Sequence, residues 1–472
     1  MLNKNLFTGV LTIISSGVFA ENNLTQQAIA NQDQQVSSSG NYIARGNYLE
    51  NPYLGMPSGG GSVEIAESQL QTMNAAQKLF SSGTWNLFGA YSYVNQNGAN
   101  NNGYVVNLFA QTGSLAGFSV GGLMTIANPF YSEEINPTDF SQQAGTLPIE
   151  KQVTPQELFL EYQYSNIVQA DAGWIGISNS PWMTYYQNNS LNLMTYQGAL
   201  VNLHPGGGWL LTGFAINKSQ LYGEEGFGQY TMYNTNFDYG TGTANIGQTT
   251  TPGALGLGAS WSDITNNYNF GLWAYQFADY ADLFYADTTI KLPVNDQLGF
   301  TLGFQGAVEG GNGSVNILTD NGYGNIIQSN MLGVQLGFNY SIFGLQLGYN
   351  NIWGPCNAYE CGGLVSPYTY QVASDPLYTT GWMQGMVEKS SGQAYKIAPS
   401  LSLLDGNLII SPSYQYYLTS VIPSSSEYDL TISYSVPEIK GLTFFGGYGY
   451  IQQPFAAGGD TYQGQLMVSY LY

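Results

Sequence analysis

From Met331 to Asn350, apolar and polar residues alternate on both sides of Ser341-Ile342, the period-two pattern of a strand folded back on its neighbour. Leu332, Val334, Leu336, Phe338 and Tyr340 fall on one face and Gly333, Gln335, Gly337 and Asn339 on the other; beyond the turn, Phe343, Leu345, Leu347 and Tyr349 alternate with Gly344, Gln346, Gly348 and Asn350. A two-residue loop makes Tyr340 and Phe343 cross-strand partners, so the two apolar rows coincide. A soluble sheet buries such a row in a core. Here the opposite face is also uncharged, small and able to hydrogen-bond water, as the inside of a wide pore requires. Aromatics at both ends (Phe338, Tyr340 and Phe343 near the turn, Tyr349 and Trp353 away from it) match the two interfacial girdles of a membrane barrel. The hairpin therefore predicts lipid outside and water inside.

The rest of the chain extends this unit. About 18 segments of strand length run from 84–95 to 462–472, close to the roughly 9 to 11 residues that a tilted membrane strand needs. Connections from an even to an odd segment are short, among them Gln111 to Leu115, His204 to Gly207 and Pro437 to Lys440. Every long connection is odd-to-even: Asn128 to Pro155, Lys218 to Thr251, Val308 to Ile327 and Gly354 to Ser390. This asymmetry predicts an all-β fold, a transmembrane antiparallel β-barrel of about 18 strands with short periplasmic turns and long extracellular loops. Gly 60, Tyr 38 and 8% charged residues suit turn-linked strands with aromatic ends. A mean hydropathy of -0.11 conceals the membrane signal, because alternating residues cancel in any window.

Residues 1–20, with Lys4, an apolar run from Leu6 to Ile14 and a Val18-Phe19-Ala20 end, read as a signal peptide. Residues 21–83 read as an N-terminal leader carrying a short helix over Ser62 to Phe80, and residues 84–472 as the barrel. The net charge of -21 becomes -22 once Lys4 leaves with the signal, which disfavours nucleic acid and favours cations. Acidic residues crowd the long loops, so a negative vestibule and a preference for cations or neutral solutes are expected. On strands, Glu161, Asp171, Asp429 and Lys396 are candidate inward charges lining the pore. Cys356 and Cys361 lie in one short stretch of a secreted chain and are expected to form a disulfide. Zinc would need more ligands than this neighbourhood has, since the only histidine is His204. That histidine sits at a turn, and no strand offers His beside Ser or Asp, so neither catalysis, a metal nor a cofactor is expected.

Two further stretches carry a resemblance. Asp375-Pro-Leu-Tyr-Thr-Thr380, followed by Val387-Glu-Lys389, Gly392-Gln-Ala-Tyr-Lys396 and Leu403-Leu-Asp-Gly406, together with Glu157-Leu-Phe-Leu-Glu-Tyr162 and Ile177-Ser-Asn-Ser-Pro-Trp182, resembles the substrate-specific outer-membrane porins of the OprD type. The resemblance spreads over most of residues 84–472. It implies a single-chain barrel in the bacterial outer membrane, inserted by the barrel-assembly machinery and passing small hydrophilic solutes or ions; a homotrimer is open to such a barrel. It also implies that the third loop (Ser178 to Asn192) and the seventh (Gly354 to Ser390) fold inward as a constriction, with Trp182, Tyr185, Tyr186, Asp375 and Tyr378 lining it. The chain departs from the family in one respect. Members that take up basic amino acids or small carboxylates carry a ladder of arginines, whereas this sequence has a single arginine, Arg45, before the first strand. The reading is thus a passive diffusion channel; the alternative is a surface adhesin or structural barrel with a closed lumen.

Overall fold

The computed structural model describes residues 61–62, 83–132, 147, 151–183, 193–221, 226–231, 250–295, 297–312, 326–369, 375–387, 389–421, 423–453 and 459–472. Eighteen antiparallel strands form one closed sheet. In chain order they are β1 (Thr84–Gln96), β2 (Ala99–Gln111), β3 (Phe118–Ser132), β4 (Gln152–Tyr164), β5 (Val168–Ile175), β6 (Thr195–Gly206), β7 (Trp209–Gln220), β8 (Ala254–Ser262) and β9 (Tyr268–Phe277), then β10 (Ala281–Pro293), β11 (Leu298–Gly311), β12 (Gln328–Tyr340), β13 (Phe343–Trp353), β14 (Gly392–Leu403), β15 (Leu408–Thr419), β16 (Ser425–Ser435), β17 (Leu442–Gln452) and β18 (Thr461–Leu471). Each pairs with the next in sequence, and β18 closes on β1 from Gln463↔Gln96 to Leu471↔Phe88. Past the last strand, Tyr472 N–H donates to the Leu87 carbonyl at 2.8 Å, and the Trp85 and Tyr472 rings stack at 5.1 Å. Every segment expected from period two overlaps one of these strands. Several run further than expected on the long-loop side, β3 to Ser132 and β11 to Gly311, because ladder bonds continue beyond the hydrocarbon.

The Ser341-Ile342 turn has the expected register, Tyr340↔Phe343, with Ser341 at φ 53. Leu332 (58% exposed) and Leu336 (51%) face outward, while Gly333 and Asn350 between them are buried inside. Outward tyrosines form a row across adjacent strands on the long-loop side: Tyr349↔Tyr395↔Tyr416 and Tyr414↔Tyr428↔Tyr450↔Tyr462. A second aromatic row lies near the short turns, at Phe300 and Phe338 (5.6 Å), Tyr340↔Phe343 and Tyr434↔Phe444. Among the described residues no helix is long and apolar enough to cross a membrane.

Two expectations meet a different outcome. Cys356 and Cys361 are free thiols. Tyr359–Cys361 is a 3₁₀ turn in which Glu360 (φ 45) and Cys361 (φ 53) are left-handed, and this turns the Cys361 sulfur toward the Cys356 carbonyl oxygen, 4.0 Å away, so the expected staple is not formed. The inner face is also less open than its composition implied: Ser92, Asn350 and Gln415 are fully buried, Asn350 beneath Thr379 of the seventh loop. Of the leader, Gly61 and Ser62 pair with Trp85 and Thr84. The signal peptide and the remainder of the expected helix lie outside the described residues.

Candidate functional site

The site begins with side chains that period two aims into the lumen. On β10, Leu283, Tyr285 and Asp287 share the inner face; on β16, Glu427 and Asp429; on β14, Lys396; on β4 and β5, Glu161 and Asp171, which are direct cross-strand partners. Two loops fill the space between them. Third-loop residues Ile177, Ser180, Trp182 and Met183 are buried against the wall, with Ser180 Oγ 2.9 Å from the Tyr275 hydroxyl and the Trp182 ring edge-on to Tyr285 at 5.9 Å. The seventh loop meets it directly, since the Thr369 hydroxyl donates to the Trp182 carbonyl at 2.6 Å. Tyr368 is wedged edge-on between Tyr196 (5.7 Å) and Phe277 (6.1 Å). An apolar core thus sits inside the barrel, where the sequence pattern alone indicated only water. The aromatics that build it, Trp273, Tyr275 and Phe277, follow one another at period two on β9 and stack at 5.6 and 5.5 Å.

Beyond this core, the seventh loop runs along the inner wall over β11 and β13–β16. Val365 N–H donates to Glu309 at 3.0 Å, a charge-assisted bond from a buried carboxylate of β11. Asp375 accepts the Leu377 N–H at 2.9 Å, which fixes the turn ahead of Tyr378. Burial pushes the Asp375 carboxyl up to about 7, opposed by that hydrogen bond. The Tyr378 hydroxyl donates to the Phe304 carbonyl (3.2 Å), and burial pushes it up to about 12. Thr379 bonds Asn350 Oδ1 through its amide (3.2 Å) and hydroxyl (3.0 Å). Lys396 Nζ donates to the Thr380 carbonyl at 2.7 Å. Inner-wall Gly348 has a role that its sequence pattern did not reveal: a Cβ there would lie 2.6 Å from the Tyr378 carbonyl oxygen, so the missing side chain is what lets the loop approach.

Each sequence-derived candidate now has a place. Glu161 accepts from Gln111 (2.6 Å), Ser119 (3.1 Å) and Gln169 (2.9 Å) near the short-turn end, with Gln169 reaching Asp171 at 3.4 Å. Asp375, Tyr378, Lys396 and Asp429 come together around the seventh loop. Trp182 is 1% exposed, with its ring against Tyr285 of the wall and its carbonyl bonded by Thr369 of the seventh loop. Tyr185 and Tyr186 lie outside the described residues. Sequence reasoning passed over four inward carboxylates: Glu157, Glu309, Glu427 and Asp287. Strand parity alone would have found Asp287, which is two positions beyond Tyr285. It faces Gly271 across the ladder, its carboxylate lies where a Cβ on that glycine would be, and it remains partly exposed.

The outer membrane protein OpdK from Pseudomonas aeruginosa superposes with TM-score 0.67 over 83% of this chain and 99% of its own, at 14% identity. P. aeruginosa OccK2 (OpdF), solved in complex with glucuronate, gives 0.66 over 84% and 99% at 12% identity. A BenF-like porin from Pseudomonas fluorescens Pf-5 gives 0.66 over 83% and 99%, also at 12% identity. The chain has the fold of these porins. The OprD-type resemblance carried by the 375–406 motifs therefore holds at the level of architecture. No protein-family model matches the chain, and no curated protein matches its sequence.

Proposed function

We propose that this OprD-type barrel lies in the bacterial outer membrane as a passive diffusion channel for small hydrophilic solutes, with cations and neutral molecules favoured over anions. The observation that carries the selectivity is the charge of the inner wall. Inward strand positions hold Glu157, Glu161, Asp171, Asp287, Glu309, Glu427 and Asp429 against Lys291 and Lys396, and Lys396 is spent on a loop carbonyl. A similar fold has been solved with glucuronate, an anion. With acidic side chains outnumbering basic ones on these inward positions, a carboxylate solute would meet a wall of like sign in this chain. Asp287 is the carboxylate through which water-borne ions would feel that sign most directly, because the others are buried.

Planar-bilayer recording in a KCl gradient tests the reading. Stable openings with a potassium-side reversal potential are expected, and Asp287→Asn should move that potential toward zero. A chloride-side reversal would remove the selectivity. Absence of stable openings would favour a closed barrel that binds partners through its loops.

A further inference from the structure

Residues 379–384 of the seventh loop lie along the inner wall as a strap whose attachments run almost entirely from wall side chains to strap backbone. Successive amides of Trp382, Met383 and Gln384 donate to Asp429 Oδ2 (3.3 Å), Glu427 Oε1 (2.5 Å) and Glu427 Oε2 (3.1 Å). Gly381 N–H donates to the Tyr417 hydroxyl at 3.1 Å, and that hydroxyl faces the carbonyls of Thr379 (3.1 Å) and Gln384 (2.9 Å). Lys396 takes the Thr380 carbonyl. A stretch with no ladder of its own must find partners for buried amides elsewhere, and carboxylates are the strongest acceptors a protein has. Both faces of the contact are shaped for close approach. A Cβ on Gly381 would run into the Glu427 carboxylate, and one on Gly447 would lie 2.7 Å from the Trp382 ring.

We propose that Glu427 and Asp429 are positioning residues for the constriction: their paired carboxyl groups pin the strap's backbone against the inner wall, and neutralising them lets it lift off that wall into the passage. The conductance part of this rests on the channel reading above; the attachment part does not. Because three amides converge on two side chains at i and i+2 of one strand, the strap is fastened at one point on β16. Its other anchors, Asn350, Lys396 and Tyr417, are spread over β13, β14 and β15.

The test places a reporter cysteine at Met383, in a background with Cys356→Ser and Cys361→Ser, and follows maleimide labelling of the folded barrel in vesicles. Glu427→Gln with Asp429→Asn should speed labelling roughly tenfold or more, the factor that loss of one charge-assisted bond produces in a local opening equilibrium. Glu427→Gln alone, which keeps one carbonyl acceptor, should give an intermediate rate. Single-channel conductance should fall in the same order, because a strap freed from the wall occupies the passage. Heat-modifiable migration on gels reports whether the barrel has folded. If the double variant does not fold, Gly348→Val pushes on the Tyr378 backbone from the wall side without touching a carboxyl group, and should speed labelling likewise. Unchanged labelling in folded variants would overturn the attachment. Faster labelling in a chain that never conducts would confirm the attachment and retire the channel.

Discussion

Leu336→Arg and Gln346→Arg differ only in which side of one sheet receives the charge. Leu336 pairs with Leu302 and Leu347 and points outward; Gln346 pairs with Gly337 and Ala398 and points inward, with small neighbours that leave it room. Between the Tyr340↔Phe343 level and the Asn330↔Trp353 level lie about ten residue steps. At roughly 3.3 Å per residue and a tilt of about 40°, that is a belt about 25 Å tall, and Leu336 sits close to its middle. An arginine at the midplane of such a belt costs about 2–4 kcal/mol, whereas a lumen position tolerates the same side chain within about 0.5 kcal/mol. Reversible urea titration of folding into lipid vesicles reads the difference directly, as a lower midpoint at constant slope for Leu336→Arg alone. Equal costs, or a larger cost at Gln346, would refute the assignment of inside and outside on which the channel reading depends.

Two further outcomes concern the loop-filled lumen. Asp375 is held at about 7, above its unfolded value, so docking of the seventh loop is most favoured below about pH 4 and loses that contribution as pH rises through about 7. Lys389 is depressed to about 8 by burial, so its contribution is present above about pH 10.5 and is lost as pH falls through about 8. Loop exposure, measured by protease cleavage between pH 5 and 10, should therefore peak near pH 7–8, and Asp375→Asn should flatten the acid limb only. Tyr368→Ala removes a fully buried ring from between Tyr196 and Phe277 and should destabilise the docked loop by about 3–5 kcal/mol, seen as faster proteolysis with the barrel's own urea midpoint almost unchanged.

The barrel was legible because membrane strands obey a local rule. Period two in Leu298 to Phe304 or Tyr428 to Tyr434, with short and long connections alternating in parity, needs no knowledge of distant contacts, and the strand count followed. Trp182 and Asp375 could be placed on inward loops only through the resemblance. What they do there could not be read, because whether an aromatic lines a lumen or packs a loop depends on which wall it meets. The same limit applies to Cys356 and Cys361: closeness in sequence permitted a bridge, and the left-handed turn at Glu360 and Cys361 set the sulfurs otherwise.

Alternation of side-chain character along each strand determined, from the sequence alone, which face meets lipid and which is enclosed, since every residue's side is fixed by its neighbours. Only the tertiary structure decided what the enclosed face is for. Gly348 reads as pore lining until the Tyr378 backbone is found lying on it. Glu427 and Asp429 read as two wall charges until three loop amides are found donating to them. Those partners come from residues 30 or more positions away in the chain, and no local period encodes a contact between a wall and the loop folded onto it.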